Sequence, residues 1–168
     1  GSPMAKKSDT FPIRISTAKP AAAGYAQDVT DLGAYVDALG KSVLRIHTLQ
    51  VVYQDTAEPE KGPVADANGV TLNVGWQLTT SSQTALILAN DKSVVASGKM
   101  TVPKDSGSAI IKGVYESADI NPSDWDMGYL IATESLYLGV ENDVLMDDPI
   151  TVTVIAECSV ETMDERAA

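Results

Sequence analysis

The residues that could do chemistry in this chain are few and scattered. His47 is the only histidine and Cys158 the only cysteine. One histidine cannot build a two-histidine metal site within a chain. One cysteine allows neither an internal disulfide nor a cysteine zinc cluster. His47 stands in Leu44-Arg45-Ile46-His47-Thr48, in mid-strand. A Ser-His-Asp triad therefore has a formal base, but no G-x-S-x-G elbow supplies its nucleophile, and Asp105-Ser-Gly-Ser108 reads as a turn. The expected role of His47 is structural. Cys158 falls on the apolar side of an alternating run and reads as a small buried hydrophobe. Phosphate-cradling glycine loops of either the G-x-x-x-x-G-K-[ST] or the G-x-G-x-x-G kind are absent.

Carboxylates are plentiful. Asp124 and Asp126 flank Trp125, and Asp143, Asp147 and Asp148 share a later loop. Brought together, these two loops could hold calcium, which takes several hard oxygens. Neither has EF-hand spacing, and solvated turn aspartates are the other reading. A glycosidase would need two carboxylates facing each other about 5–10 Å apart in a cleft. Glu134 shares a face with Leu130, Ala132, Leu136, Leu138 and Val140; either it pairs with Arg45, or that strand's faces change role partway along. Among the aromatics, Trp76 belongs to a clean apolar face and to the core. Trp125, in a loop near Tyr129, is a candidate for stacking on a sugar or anchoring a subunit contact. No cofactor is expected.

Composition narrows the partners. The 168 residues carry a net charge of −11, which argues against a nucleic-acid-binding surface. The acidity instead keeps a β-rich chain soluble and discourages wrong edge pairing. No stretch is apolar for long enough to span a membrane, and insertion is not expected. Gly1-Ser2-Pro3 reads as a cloning remnant before Met4, and Met4-Ala-Lys-Lys-Ser-Asp9 is no signal peptide. The chain is thus expected to be made inside the cell, unless a leader has been removed.

The elements that must position these residues are nearly all strands. Phe11–Ser16 is a short strand and Ala18–Gly24 a small-residue linker. Residues 30–40 form the one expected helix: Thr30 as N-cap, Asp28 and Asp31 near its start, Leu32, Tyr35, Val36 and Leu39 at helical spacing, Gly40 as stop. Strands follow over Val43–Gln54, Val70–Thr79, Thr84–Ala89 (apolar enough to be buried on both faces), Ser93–Val102, Ala109–Tyr115, Tyr129–Val140 and Ile150–Glu161. Asp55–Asn68 is a long loop, and Ile120–Asp126 an Asn-capped helical turn. The last strand alternates without a break, with Ile150, Val152, Val154, Ala156, Cys158 and Val160 on one face. Twelve residues would span about 40 Å. The expected organisation is an arm over 1–24, one β-sandwich domain over 25–162 and a polar tail over 163–168.

This series of seven strands behind a short helix resembles the single jelly-roll major capsid proteins of icosahedral viruses, particularly those of prokaryotes. The resemblance implies an all-β, antiparallel β-sandwich or barrel of jelly-roll type. It further implies a structural, non-catalytic virion protein made in the host cytoplasm. Its partners would be copies of itself and, in some such shells, a second capsid subunit. The long strand then serves as a wall for subunit contacts. The acidic balance departs from the basic-armed members of that architecture and leaves genome binding to another component. A β-sandwich module for carbohydrate or a cell surface is the alternative, resting on Trp125 and Tyr129.

Overall fold

A computed structural model describes residues 6–37, 39, 41–105, 113–120 and 127–162. Ten strands appear: β1 (Lys6–Lys7), β2 (Phe11–Lys19), β3 (Gly24–Asp31), β4 (Ser42–Asp55), β5 (Leu72–Thr79), β6 (Val94–Val102), β7 (Tyr115–Ile120), β8 (Tyr129–Ile131), β9 (Ser135–Asn142) and β10 (Ile150–Thr162). They form two antiparallel sheets. In the first, β2 and β1 lie end to end along one side of β10, followed by β4 and β8. The second runs β3-β9-β5-β6-β7.

The pairing is nested. β2 pairs with β10, β3 with β9, β4 with β8 and β5 with β6, while β7 extends the last pair as an edge. The chain therefore behaves as one long hairpin whose two arms run together and wrap into two facing layers. The further pairs β10–β4 and β9–β5 knit the wrapped arms into sheets.

The alternation legible in the sequence places the core. Ile150, Val152, Val154, Ala156 and Cys158 of β10 face Leu72, Val74, Trp76 and Leu78 of β5 and Leu136, Leu138 and Val140 of β9 in one buried cluster. Thr17 crosses the gap between the layers and donates its hydroxyl to the Leu138 carbonyl at 2.7 Å. β10 and β4, 13 and 14 residues long, form the longest ladder of the molecule.

Several expectations are corrected. No helix forms over residues 30–40 among the described residues. β3 continues to Asp31, so Thr30 and Asp31 are spent pairing with Leu136 and Ser135. Only one turn follows, with Tyr35 and Val36 both donating to the Leu32 carbonyl. Leu32 and Val36 are buried while Leu39 is 80% exposed, so the helical spacing marks one plugging turn. Gly33 and the short span between two strands keep it from growing. The linker over Ala18–Gly24 is mostly strand at its ends, since β2 runs to Lys19 and β3 begins at Gly24.

Thr84–Ala89 is not a strand. It crosses the outer face of the second sheet, held by Gln77, whose amide donates to the Ala85 carbonyl and accepts from Ile87 N–H. The side chain stands in for a neighbouring strand. Tyr129–Val140 is two strands in different sheets, joined by the exposed residues Ala132, Thr133 and Glu134. Glu134 is thus solvated at a sheet-crossing turn, and the change of faces, not a pairing with Arg45, explains it. Residues 109–112 of the expected Ala109–Tyr115 strand lie outside the described residues. So do residues 121–126 of the expected helical turn, whose first residue, Ile120, instead ends β7.

Candidate functional site

The polar side chains gather in two places, at opposite ends of the β4–β10 ladder. At one end the register slips: Glu157 pairs with Thr48, and Cys158 with Ile46. His47 is the extra residue of a β-bulge, a device that re-aims a side chain. Its Nε2 lies 2.7 Å from Ser159 Oγ. Beside it, Arg45 Nε and Nη2 meet the two oxygens of Glu161 at 2.5 and 3.1 Å, and Nη1 donates to the Met127 carbonyl. Gly128, at φ +70, passes so close to the Ile46 carbonyl that a Cβ would clash with it. This is the partner of Arg45 that the sequence did not identify. By alternation Ser159 and Glu161 lie on the face opposite Cys158, yet both are buried.

The histidine–serine contact has the outline of a nucleophile and its base. Ser159 has no exposed surface, however, so a substrate carbonyl has no approach to Oγ. The contact satisfies a buried hydroxyl and fixes the bulge. Cys158 is likewise buried. Burial foremost, and then the Glu157 charge, push its thiol up to about 12, which keeps it protonated and inert.

At the other end of the ladder lies an acidic cluster. Asp55, Asp147 and Asp148 each bring a carboxylate oxygen within 4.8 Å of the others. Asp55 is buried at the end of β4. Its Oδ1 accepts the N–H groups of Ala57 and Glu58, both at 3.0 Å. Those backbone bonds, Glu58 first, hold its carboxyl below the usual range. Asp148 is raised instead, through its hydrogen bond to Asp55 and the charge there. The opposed shifts favour one proton held between the two facing carboxylates as pH falls. A divalent cation could occupy the same oxygens in its place.

The calcium candidates are therefore divided. Asp147 and Asp148 come together with Asp55, which the sequence did not single out. Asp143 points elsewhere, accepting from Asn73 N–H and Nδ2, each at 2.8 Å. Asp124, Asp126 and Trp125 lie outside the described residues. Tyr129 is half-buried in β8 opposite Ile46, with part of its side chain against the core.

The sheet margins form the third feature. β2 and β3 contact each other and close one side of the sandwich. β8 and β7 are the terminal strands at the other end of the two strand orders. Apolar side chains stand out there: Val114 and Met127 are exposed, Tyr115 is 68% exposed and Leu130 47%. On the β2–β3 side, Val29 is 60% exposed between the acidic Asp28 and Asp31.

No protein-family profile matches the chain, and no curated protein matches it in sequence. Among solved structures it is similar to that of Desmodium yellow mottle tymovirus, at 11% identity and a TM-score of 0.43 over 100% of this chain and 93% of that one. It is similar to the unassembled VP1 pentamer of Merkel cell polyomavirus, at 8% identity and a TM-score of 0.44 over 90% of this chain and 95% of that one. Cocksfoot mottle virus follows at 12% identity and a TM-score of 0.37, over 94% of this chain and 98% of that one. At these values the likeness decides nothing about what the chain does.

Proposed function

We propose that the chain is a jelly-roll shell subunit of a virion, packing side by side with copies of itself and carrying out no catalysis. The nested strand order supports the jelly-roll reading, an architecture that capsid proteins share with lectins and cupins. The observation that carries the assembly reading is the apolar margin along β7 and β8. Among the described residues β7 and β8 have no outer strand partner, and edges bearing Tyr115 and Leu130, with Met127 beside them, are liabilities in a lone molecule and contacts in an assembly. The two sides of the sandwich differ, so a contact between them is heterologous and repeats into rings or closed shells. In this reading the sandwich domain over residues 25–162 also takes in β2, which pairs with β10 along its whole length, so the arm is confined to the residues before Phe11. A prokaryotic virus and a second capsid subunit belong to the same reading.

Light scattering on the wild type, Leu130→Lys and Tyr115→Lys tests it. Both substitutions fall on exposed positions, so the fold should survive. The wild type is expected to form large particles with rising concentration, and each lysine variant to need at least about tenfold more protein. A wild type that stays monomeric at every concentration and salt would contradict the proposal.

A further inference from the structure

Beside the His47 bulge, on the outer face of the first sheet, lies a cavity of about 300 Å³. Its apolar lining is Phe11 and Pro12 of β2 and Ile155 of β10, with Thr10 beside them. Its walls carry the Thr48 hydroxyl, the Gln50 amide and the Glu157 carboxylate. The bulge explains why the cavity is there: two residues of β4 oppose one of β10, the local twist rises, and the surface beside the slip is indented. Glu157 stands at that slip, paired with Pro12 on one side and Thr48 on the other.

From this set we infer that the cavity binds a primary alkylammonium group. An ammonium offers three donors and no acceptor. Glu157, Gln50 and Thr48 offer three acceptor groups, one of them a carboxylate, beside apolar side chains suited to a methylene stem. The basic residues with assigned contacts are committed elsewhere. Arg45 is held by Glu161, Lys61 by Glu58, Lys104 by the Ala65 carbonyl, and Lys19 by the carbonyls of Pro20 and Ala22. Arg14 sits on the same face, opposite Ile155, and among the described residues no ion pair joins it to Glu157. The carboxylate is left to an outside cation, either a free amine or a lysine side chain of a second copy.

The test uses amide-resolved NMR of the whole chain, titrated with n-butylamine and, separately, with 1-butanol of the same shape and no charge. The expected result is saturable shifts at Thr48, Gln50, Ile155 and Glu157 with the amine alone. Glu157→Gln should weaken that binding at least about tenfold, the loss of one charged contact. Equal response to butanol, no saturation, or unchanged binding in Glu157→Gln would overturn the inference. The two sources separate in light scattering. If a second copy supplies the lysine, butylamine competes with association and Glu157→Gln weakens it; if the ligand is a free amine, association is untouched. Binding by a chain that never associates would leave this site standing and remove only the shell reading.

Discussion

The outer faces of the two sheets differ although both sheets cover the same core. On the first sheet Arg14, Ser16, Ala18, Thr48 and Gln50 stand in solvent, and burial alternates cleanly along β2 and the first part of β10. On the second sheet β5 is buried on both faces over most of its length. Loop residues 84–89 and Tyr25 account for it. A Cβ on Gly75 would lie 2.5 Å from Leu86 Cδ1, and one on Gly139 would lie 1.8 Å from the Tyr25 hydroxyl. Glycine there makes room for a third layer. A strand's own pattern therefore reports which face meets the core, and says nothing about what a distant segment lays over the other.

The largest effects should fall where polar or aromatic groups are buried. Arg45→Met removes the bidentate partner of the buried Glu161 carboxylate at the bulged end of the first sheet and should cost about 3–5 kcal/mol in denaturant unfolding. On the second sheet Trp76→Ala should cost a similar ~3–5 kcal/mol. Trp76→Phe should cost far less, because the indole Nε1 has no hydrogen-bond partner to lose. A large loss in Trp76→Phe would show that the indole nitrogen matters after all.

The covering layer gives the next tier. Gly139→Ala displaces Tyr25 from its hydrogen bonds with Gln27 and Gln77, and should cost about 1–3 kcal/mol. Gln77→Ala releases the loop over residues 84–89, with a loss of about 1–2 kcal/mol and faster proteolysis within that loop. Gln50→Ala, on the bare face, should change stability by less than about 0.5 kcal/mol. Equal effects at Gln77 and Gln50 would erase the contrast between the faces.

The smallest expected effect is a pH dependence. Asp148 is raised, so its contribution is present below the ordinary carboxyl value and fades as pH climbs through the raised one. Asp55 is lowered, so its contribution is present above the ordinary value and fades as pH falls through the depressed one. Asp148→Asn keeps a donor toward Asp55 without the charge. Its melting temperature should exceed the wild type's near pH ~8 and converge with it near pH ~4. Parallel profiles would show that the two carboxyls do not share a proton.

Much of the fold was legible because period-two alternation survives wherever one face meets the core, as in Leu72–Thr79 and Ile150–Cys158. β3 was hidden because Gly24–Asp31 is an edge strand, largely half-buried or exposed, while Leu32, Tyr35, Val36 and Leu39 mimic a helix. The division of Tyr129–Val140 was hidden because both pieces are apolar and only the short Thr133-Glu134-Ser135 interrupts the run. Of the polar sites, Asp147 and Asp148 were visible as a loop pair. Asp55 was not, since an aspartate ending a strand looks like any turn former. Ser159 and Glu161 are buried beside the bulge at His47, and no local pattern announces a slip of one residue.

The most direct test of the central claim is negative-stain imaging of the purified chain, concentrated stepwise and taken from the large fraction of a size-exclusion column. The account predicts rings, flat arrays or closed shells in which identical units repeat side by side. A uniform field of single small particles at the highest concentration, matched by a monomer mass in light scattering, would contradict it.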